Sequence, residues 1–402
     1  MEEHAPVFNT RSTFGRRRVA PHGLVIDIKQ HIRKFLGEAL EDIGFITSEC
    51  AHVRSVHGAL NAVLPDLIVV GLSGGGLDGA AMLQALAAEN FAGRVLLVGV
   101  RASPVLGAVQ ELGEALGLAM LPALGTPYRN DDLRDRVASL LPGEPPPNPA
   151  VDVAEALSAG WLELWYQAKI DPRSLTLSGA EALIRIRHPA WGIVPPASFV
   201  PANGDPYFHA LSEFVIARAI ADWMYFVTEY APVKLAINLP VSLLQDPGCV
   251  DRLPLLLPDH PAFDGLIIEI NGTEVIRNID LATDIAKRLK LHNIGISADD
   301  LGAEWSSLAG LDEFPFVELK VDRKFVSGCA KERLKRAACR TIVDLAHRFG
   351  AATVAEGVDT RADFRAVSDM GFDLVQGFLF HRPMAARKFA RAMLGSPPTL
   401  PA

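Results

Sequence analysis

One pattern repeats through the C-terminal part of the chain and constrains its fold more than any other feature. An apolar, β-branched run ends in a polar residue, a helical stretch follows, and the pattern starts again. Leu177–Ala180 leads to Glu181, Val233–Ile237 to Asn238, Leu266–Ile268 to Glu269, and Ile294–Ala298 to Asp299-Asp300. Phe316–Leu319 then leads to Lys320, Ala352–Ala355 to Glu356, and Phe372–Val375 to Gln376. Most steps span roughly 20–36 residues, the length of one βα unit, so the stretch predicts a single (β/α)8 TIM-like barrel.

In such a barrel the strand ends converge on one face, and residues far apart in sequence share one mouth. The residues converging here are carboxylates, two amides and one lysine. Several carboxylates held together at neutral pH repel and raise one another's pKa unless cations neutralise them. Oxygen-only ligands favour Mg²⁺ or Mn²⁺ over zinc. The adjacent pair Asp299-Asp300 suits two ions, and two ions can clamp the attacking and leaving oxygens of a phosphodiester.

From about Ala154 to Phe389 the motifs resemble the EAL domains, phosphodiesterases and receptors of cyclic di-GMP. The name-giving motif is matched by Glu181-Ala182-Leu183-Ile184-Arg185. Further matches follow in the family order: Asn238 in Ile-Asn-Leu, Glu269 in Ile-Glu-Ile, Asp299-Asp300-Leu301-Gly302 and Lys320-Val321-Asp322. Ala355-Glu356-Gly357-Val358 and Gln376-Gly377-Phe378 complete them. The resemblance implies metal ligands at Glu181, Asn238, Glu269, Asp299, Asp300 and Glu356. It also implies Glu356 as a base, Lys320 orienting or activating the attacking water, and Gln376 holding water or substrate. Gln167, Arg185 and Asp322 match positions that touch the dinucleotide.

The departures from that pattern are specific. Gly272 stands where the family has a second Glu after Glu269, and Asp359 replaces the second Glu of Glu-Gly-Val-Glu. The loop after the Asp pair reads Leu301-Gly302-Ala303-Glu304-Trp305-Ser306-Ser307, with Glu304 where the family has Gly. Three readings stay open: a metal-dependent hydrolase producing linear pGpG, a catalytically inactive cyclic di-GMP receptor relaying binding to a partner, and an unrelated Mg²⁺ barrel enzyme. The ligand set favours the first, Gly272 and Glu304 the second.

Upstream, short apolar runs alternate with helical patterns. The runs are Gly23–Ile28, Phe45–Ser48, Asp66–Gly71, Arg94–Gly99 and Ala119–Leu124, with helices over Lys29–Glu41 and Asp78–Glu89. Five βα units predict a doubly wound (βα)5 parallel sheet. Pro65-Asp66-Leu67-Ile68-Val69-Val70-Gly71 resembles the third-strand region of response-regulator receivers. Gly71 occupies the place of the phospho-accepting Asp, Gly99 that of the switch hydroxyl and Thr126 that of the lysine, and only Asp27 remains of the acidic pair. No aspartyl phosphate can form without a carboxylate at position 71. The resemblance implies a degenerate receiver used for dimerisation or docking, with a residual nucleotide or metal site as the alternative.

Pro142-Gly143-Glu144-Pro145-Pro146-Pro147-Asn148-Pro149 forbids a continuous helix between the halves. The expected organisation is a tail at 1–22, a receiver-like domain at 23–143, a linker at 144–153 and an EAL barrel at 154–395. A net charge of −8 and no long basic stripe disfavour DNA as a partner. Cys50, Cys249, Cys329 and Cys339 lack CxxC spacing, as in a reduced cytoplasmic protein. No run approaches the ~20 apolar residues that span a bilayer. The expected assembly is a homodimer, with a protein partner reached through the receiver-like domain.

Overall fold

The computed structural model describes residues 20–62, 65–73, 76–141, 151–200, 207–301 and 316–395. The proline-rich segment, the tail before residue 20 and the loop carrying Glu304 lie outside them. The chain divides into two compact units, residues 1–150 with 187–194, and 151–186 with 195–402.

In the first unit, strands β1 (His22–Ile26), β2 (Ile46–Cys50), β3 (Leu67–Gly71), β4 (Arg94–Val100) and β5 (Ala119–Met120) form a parallel sheet in the order β2-β1-β3-β4-β5. The central strands β1, β3 and β4 are apolar at nearly every position because both faces are covered, whereas the edge strand β2 reads Ile-Thr-Ser-Glu-Cys. Leu24, Ile26, Ile68, Val70, Val95 and Leu97 pack with Met82, Leu83 and Leu86 on one side. Their neighbours Val25, Leu67, Val69, Leu96 and Val98 pack with Leu36, Leu40 and Phe45 on the other. Alternation along each strand therefore sorts adjacent residues into two cores. The run expected at Ala119–Leu124 is two short strands, β5 and β6 (Leu124–Thr126), both paired with β4. Pro122 lies between them, and a proline cannot donate to the ladder.

The second unit is a closed barrel of eight strands: β7 (Leu162–Ile170), β8 (Leu177–His188), β10 (Leu235–Asn238), β11 (Leu266–Asn271), β12 (Ile294–Leu301), β13 (Glu318–Val321), β14 (Ala352–Glu356) and β15 (Leu374–Gln376). The short strand β9 (Gly192–Val194) falls in the stretch grouped with the first unit, and β16 (Met384–Ala385) pairs with β7. Strands β8 and β10–β15 run parallel, whereas β7 is antiparallel to both β8 and β15. The barrel's first strand thus breaks the uniform βα grammar. The Glu181 run does not stop at the glutamate either: β8 continues to His188 because β7 pairs with it as far as Ile186.

Register decides which polar residues meet. Asn238 lies opposite Glu269, Asn271 opposite Asp299, Glu356 opposite Gln376, and Gln167 opposite Glu181. Helices such as Ile279–Lys290, Arg333–Arg348 and Arg361–Met370 bury one apolar stripe each against the strands and leave their charged faces to solvent. Among the described residues no helix is long and apolar enough to cross a membrane.

Candidate active site at the barrel mouth

Glu181, Leu183 and Arg185 share one face of β8, as Glu318 and Lys320 share one face of β13, since side chains alternate along a strand. Lys320 is fully buried, and its ammonium sits among four carboxylates. Its Nζ lies 2.8 Å from Glu269 Oε2, 2.8 Å from Glu356 Oε1, 3.1 Å from Asp299 Oδ1 and 3.2 Å from Glu181 Oε2. Asn238 Nδ2 donates to Glu181 Oε1 at 2.8 Å and approaches Glu269 Oε2 at 3.4 Å. Gln376 Nε2 donates to Glu181 Oε2 at 2.6 Å and to Gln167 Oε1 at 3.1 Å. Gln376 Oε1 is buried with no hydrogen-bond partner among the described residues.

At the end of β12 the pairing with β13 slips between Ala298 and Leu301, and Asp300 adopts a left-handed backbone with φ +52°. Adjacent residues of a regular strand point to opposite faces. The irregularity lets both aspartates serve one site, and the Asp300 amide donates to Asp299 Oδ1 at 2.8 Å. Asp is one of the few side chains that tolerate this conformation. Carboxylate oxygens of Glu181, Glu269 and Asp299 all lie within 4.8 Å of one another, as do those of Asp299, Asp300 and Glu356. Asp299 belongs to both triplets.

The electrostatics are strained in one direction. Burial raises the Glu181 carboxyl to about 7, with Glu269 adding to the rise and Lys320 opposing it. Burial raises Glu356 to about 8 against the pull of Lys320. Asp299 and Asp300 are also raised, first by burial and then by neighbouring carboxylates. Glu269 is the exception: burial would raise it, but Lys169 and Lys320 together hold it at about 2. Four carboxylates therefore share the ammonium of Lys320 at the mouth, with Asp300 beside Asp299. Every donor beside that nitrogen is an oxygen or an amide, whose O and N ends can be exchanged by a flip. The set Glu181, Asn238, Glu269, Asp299, Asp300 and Glu356 could hold one or two hard divalent cations, whose charge would relieve the crowding.

Beside the carboxylates lies a cavity of about 740 Å³, within the range of small-molecule sites. Glu181, Asn238 and Glu269 form its polar wall, while Pro196, Phe208 and Leu211 give it an apolar one. Arg185 and Asp322 stand outside the hydrogen-bonded cluster. The Arg185 guanidinium donates to the carbonyl of Ile184 at 2.8 Å, and burial lowers its pKa. Asp322 caps the turn Arg323–Val326 and lies close enough to Asp300 to help raise its carboxyl. The altered position Asp359 ties two loops of the mouth together. It accepts from Arg323 Nη2 at 2.7 Å and from the Phe378 amide at 2.9 Å.

Sequence reading missed two members of this assembly. Lys169, on β7, bonds Glu269 Oε1 and Glu318 Oε1, both at 2.7 Å. Glu318 also accepts from Ser297 Oγ at 2.9 Å. The signals were present: Leu162–Ile170 alternates with a strand's period of two, and Glu318 precedes Lys320 by two on the same face.

The corresponding place in the first unit is filled differently. A Cβ at Gly71 would lie 2.2 Å from Asp27 Oδ2. Asp27 is 3% exposed and accepts from the Lys29 amide at 2.7 Å and from the Ser73 hydroxyl. The carboxylate that survives from the acidic pair thus occupies the space an aspartate at 71 would need.

A barrel of seven parallel strands and one antiparallel strand, with an acidic, oxygen-lined mouth, defines a class of sites suited to hard cations and phosphate esters. The profile of the EAL domain matches residues 150–383, and the chain belongs to that family. The cyclic di-GMP phosphodiesterase RocR of Pseudomonas aeruginosa is 29% identical over 375 residues, covering 87% of this chain and 89% of RocR. The bifunctional diguanylate cyclase/cyclic di-GMP phosphodiesterase MucR of the same organism is 32% identical over 240 residues, 59% of this chain but only 35% of MucR. A solved structure of the MucR phosphodiesterase in complex with c-di-GMP superposes with a TM-score of 0.54 at 31% identity, covering 59% of this chain and 97% of that one.

Proposed function

We propose that this chain hydrolyses cyclic di-GMP to linear pGpG with the help of divalent cations. The convergence on Lys320 of carboxylates from Glu181, Glu269, Asp299 and Glu356 carries the reading. It is supported by the similarity to RocR, which spans both halves of the chain.

Glu181, Asn238, Glu269, Asp299, Asp300 and Glu356 would hold two ions, Mg²⁺ or Mn²⁺, with Asp299 shared. When bound, such ions polarise the phosphodiester and neutralise charge on the attacking and leaving oxygens. The chain's own groups do the rest. Lys320 donates to the attacking water and orients its lone pair toward phosphorus. Glu356, freed of the proton that burial favours once a cation is bound, would accept the water's proton as the new P–O bond forms, while the departing O3′ takes a proton from solvent as the P–O3′ bond breaks. The free Oε1 of Gln376 offers an acceptor to water or to a guanine N–H. Gln167, Arg185 and Asp322 line the path of the dinucleotide, with Arg185 the phosphate partner.

The receptor reading rests on Gly272, which begins the helix Gly272–Arg277 and carries no carboxylate toward the mouth. Turnover separates the two. Pure protein incubated with cyclic di-GMP and Mg²⁺ or Mn²⁺ yields multiple equivalents of pGpG under the hydrolase reading. Tight binding of unchanged cyclic di-GMP overturns it. The receiver-like unit, lacking an acceptor at Gly71, acts by contact in this reading, in a cytoplasmic homodimer or on a protein partner.

A further inference from the structure

One layer deeper than Lys320, the barrel holds a second buried lysine that the chemistry above does not use. Lys169 pairs with Gly179, two residues before Glu181, and Glu318 lies two residues before Lys320. Lys169 is 2% exposed and comes from β7, the antiparallel strand. Its Nζ takes Glu269 Oε1 at 2.7 Å, while the other oxygen of that carboxylate, Oε2, faces Lys320 at 2.8 Å and Asn238 at 3.4 Å. One glutamate is therefore divided between two layers.

An unrestrained carboxylate can turn both oxygens to a cation or swing away from it. A lysine holding Oε1 prevents both, but its charge would also repel a cation nearby. Glu318 removes that penalty: it bonds the same ammonium at 2.7 Å and is itself held by Ser297 Oγ at 2.9 Å. We propose that Lys169, neutralised by Glu318, is a positioning residue that locks Glu269 so that Oε2 alone is offered to a metal ion at the mouth. The inference rests on the metal reading of the site given above.

The test measures binding of Mn²⁺ alone to the full chain by titration calorimetry, beside the KM for cyclic di-GMP at saturating Mn²⁺. Lys169→Met combined with Glu318→Gln keeps the net charge of the layer and removes only the lysine's hold. Mn²⁺ affinity should fall by about ten- to a hundredfold, the scale for lost outer contacts to a metal ligand, with KM changed less than about twofold. Unchanged Mn²⁺ affinity in the folded double variant overturns the proposal. Glu318→Gln alone, a near-isosteric change, decides the matter if the double variant does not fold. It leaves Lys169 charged with Glu269 but without the Glu318 carboxylate, so Mn²⁺ should bind more weakly, and equal or tighter binding overturns the proposal. Absence of Mn²⁺ binding to the unaltered chain removes the metal reading itself, and this inference with it.

Discussion

Removing divalent cations should make the barrel lose stability as pH rises, opposite to the usual behaviour of paired carboxylates. Glu181 and Glu356 titrate at about 7 and about 8 in the folded chain, against 4.5 for an ordinary glutamate. Between those values the folded state keeps protons that the unfolded state has released. Stability therefore declines from about pH 4.5 upward and levels off above pH 8. Glu269 does not oppose this: its pKa is lowered to about 2, so its contribution is complete above 4.5 and constant across the window. At ~1.4 kcal/mol per pH unit, the Glu181 shift alone is worth about 3 kcal/mol, or roughly 6–12 °C in melting temperature for a unit of this size. A bound cation competes with those protons and displaces them. The assay is thermal melting from pH 5 to 8.5 in EDTA and in Mn²⁺, followed by fluorescence, since Trp161, Trp165 and Trp223 belong to the barrel unit. The EDTA curve should fall with pH, and its gap from the Mn²⁺ curve should widen. Glu356→Gln, which removes one titrating group, should flatten the EDTA curve. A gap that stays constant with pH, or an EDTA melting temperature that rises, would refute the reasoning.

Four further outcomes follow. Lys320→Met should lower kcat by about 10²–10⁴ while KM moves little, because its proposed partner is the water and not the dinucleotide; steady-state kinetics at saturating Mn²⁺ reading a near-native kcat would remove it from the chemistry. Gly71→Asp should cost about 1–3 kcal/mol in urea unfolding, since its Cβ would lie 2.2 Å from Asp27 Oδ2. The unaltered chain should acquire no acid-labile phosphate between residues 23 and 143 on incubation with acetyl phosphate. Gly357→Ala should cost a similar 1–3 kcal/mol and slow turnover, because Gly357 holds φ +67° and a Cβ there would meet Arg323 Cγ at 2.2 Å, next to Glu356; an unaltered melting curve and rate would show that the Glu356 loop tolerates the strain.

Much of the site was legible before any coordinates because each member ends or nears the end of an apolar run. Glu181, Asn238, Glu269, Lys320, Glu356 and Gln376 stand where hydrophobic strands meet the mouth, and a barrel brings such ends together whatever their spacing. The parallel order of the first unit was legible for the same local reason, since five apolar runs separated by helical stretches leave little choice but crossovers. The boundary at Pro122 shows the limit of that reading. A run of apolar residues does not reveal which of them lose their place in the ladder until the neighbouring strand is known.

What only the tertiary structure decided concerns direction and depth. Nothing local in Leu162–Ile170 states that β7 runs against its neighbours, because strand direction is set by what the chain must reach next. That reversal is what brings Lys169 under Glu269 and Gln167 beside Gln376. The left-handed turn at Asp300 is likewise invisible in the residue pair Asp299-Asp300, although it lets two consecutive side chains serve one cluster. Sequence by itself determined which residues carry charge and that strands would deliver them to one mouth. The tertiary structure decided which oxygen faces which ammonium, because orientation within a shared cavity depends on neighbours up to 209 positions away along the chain.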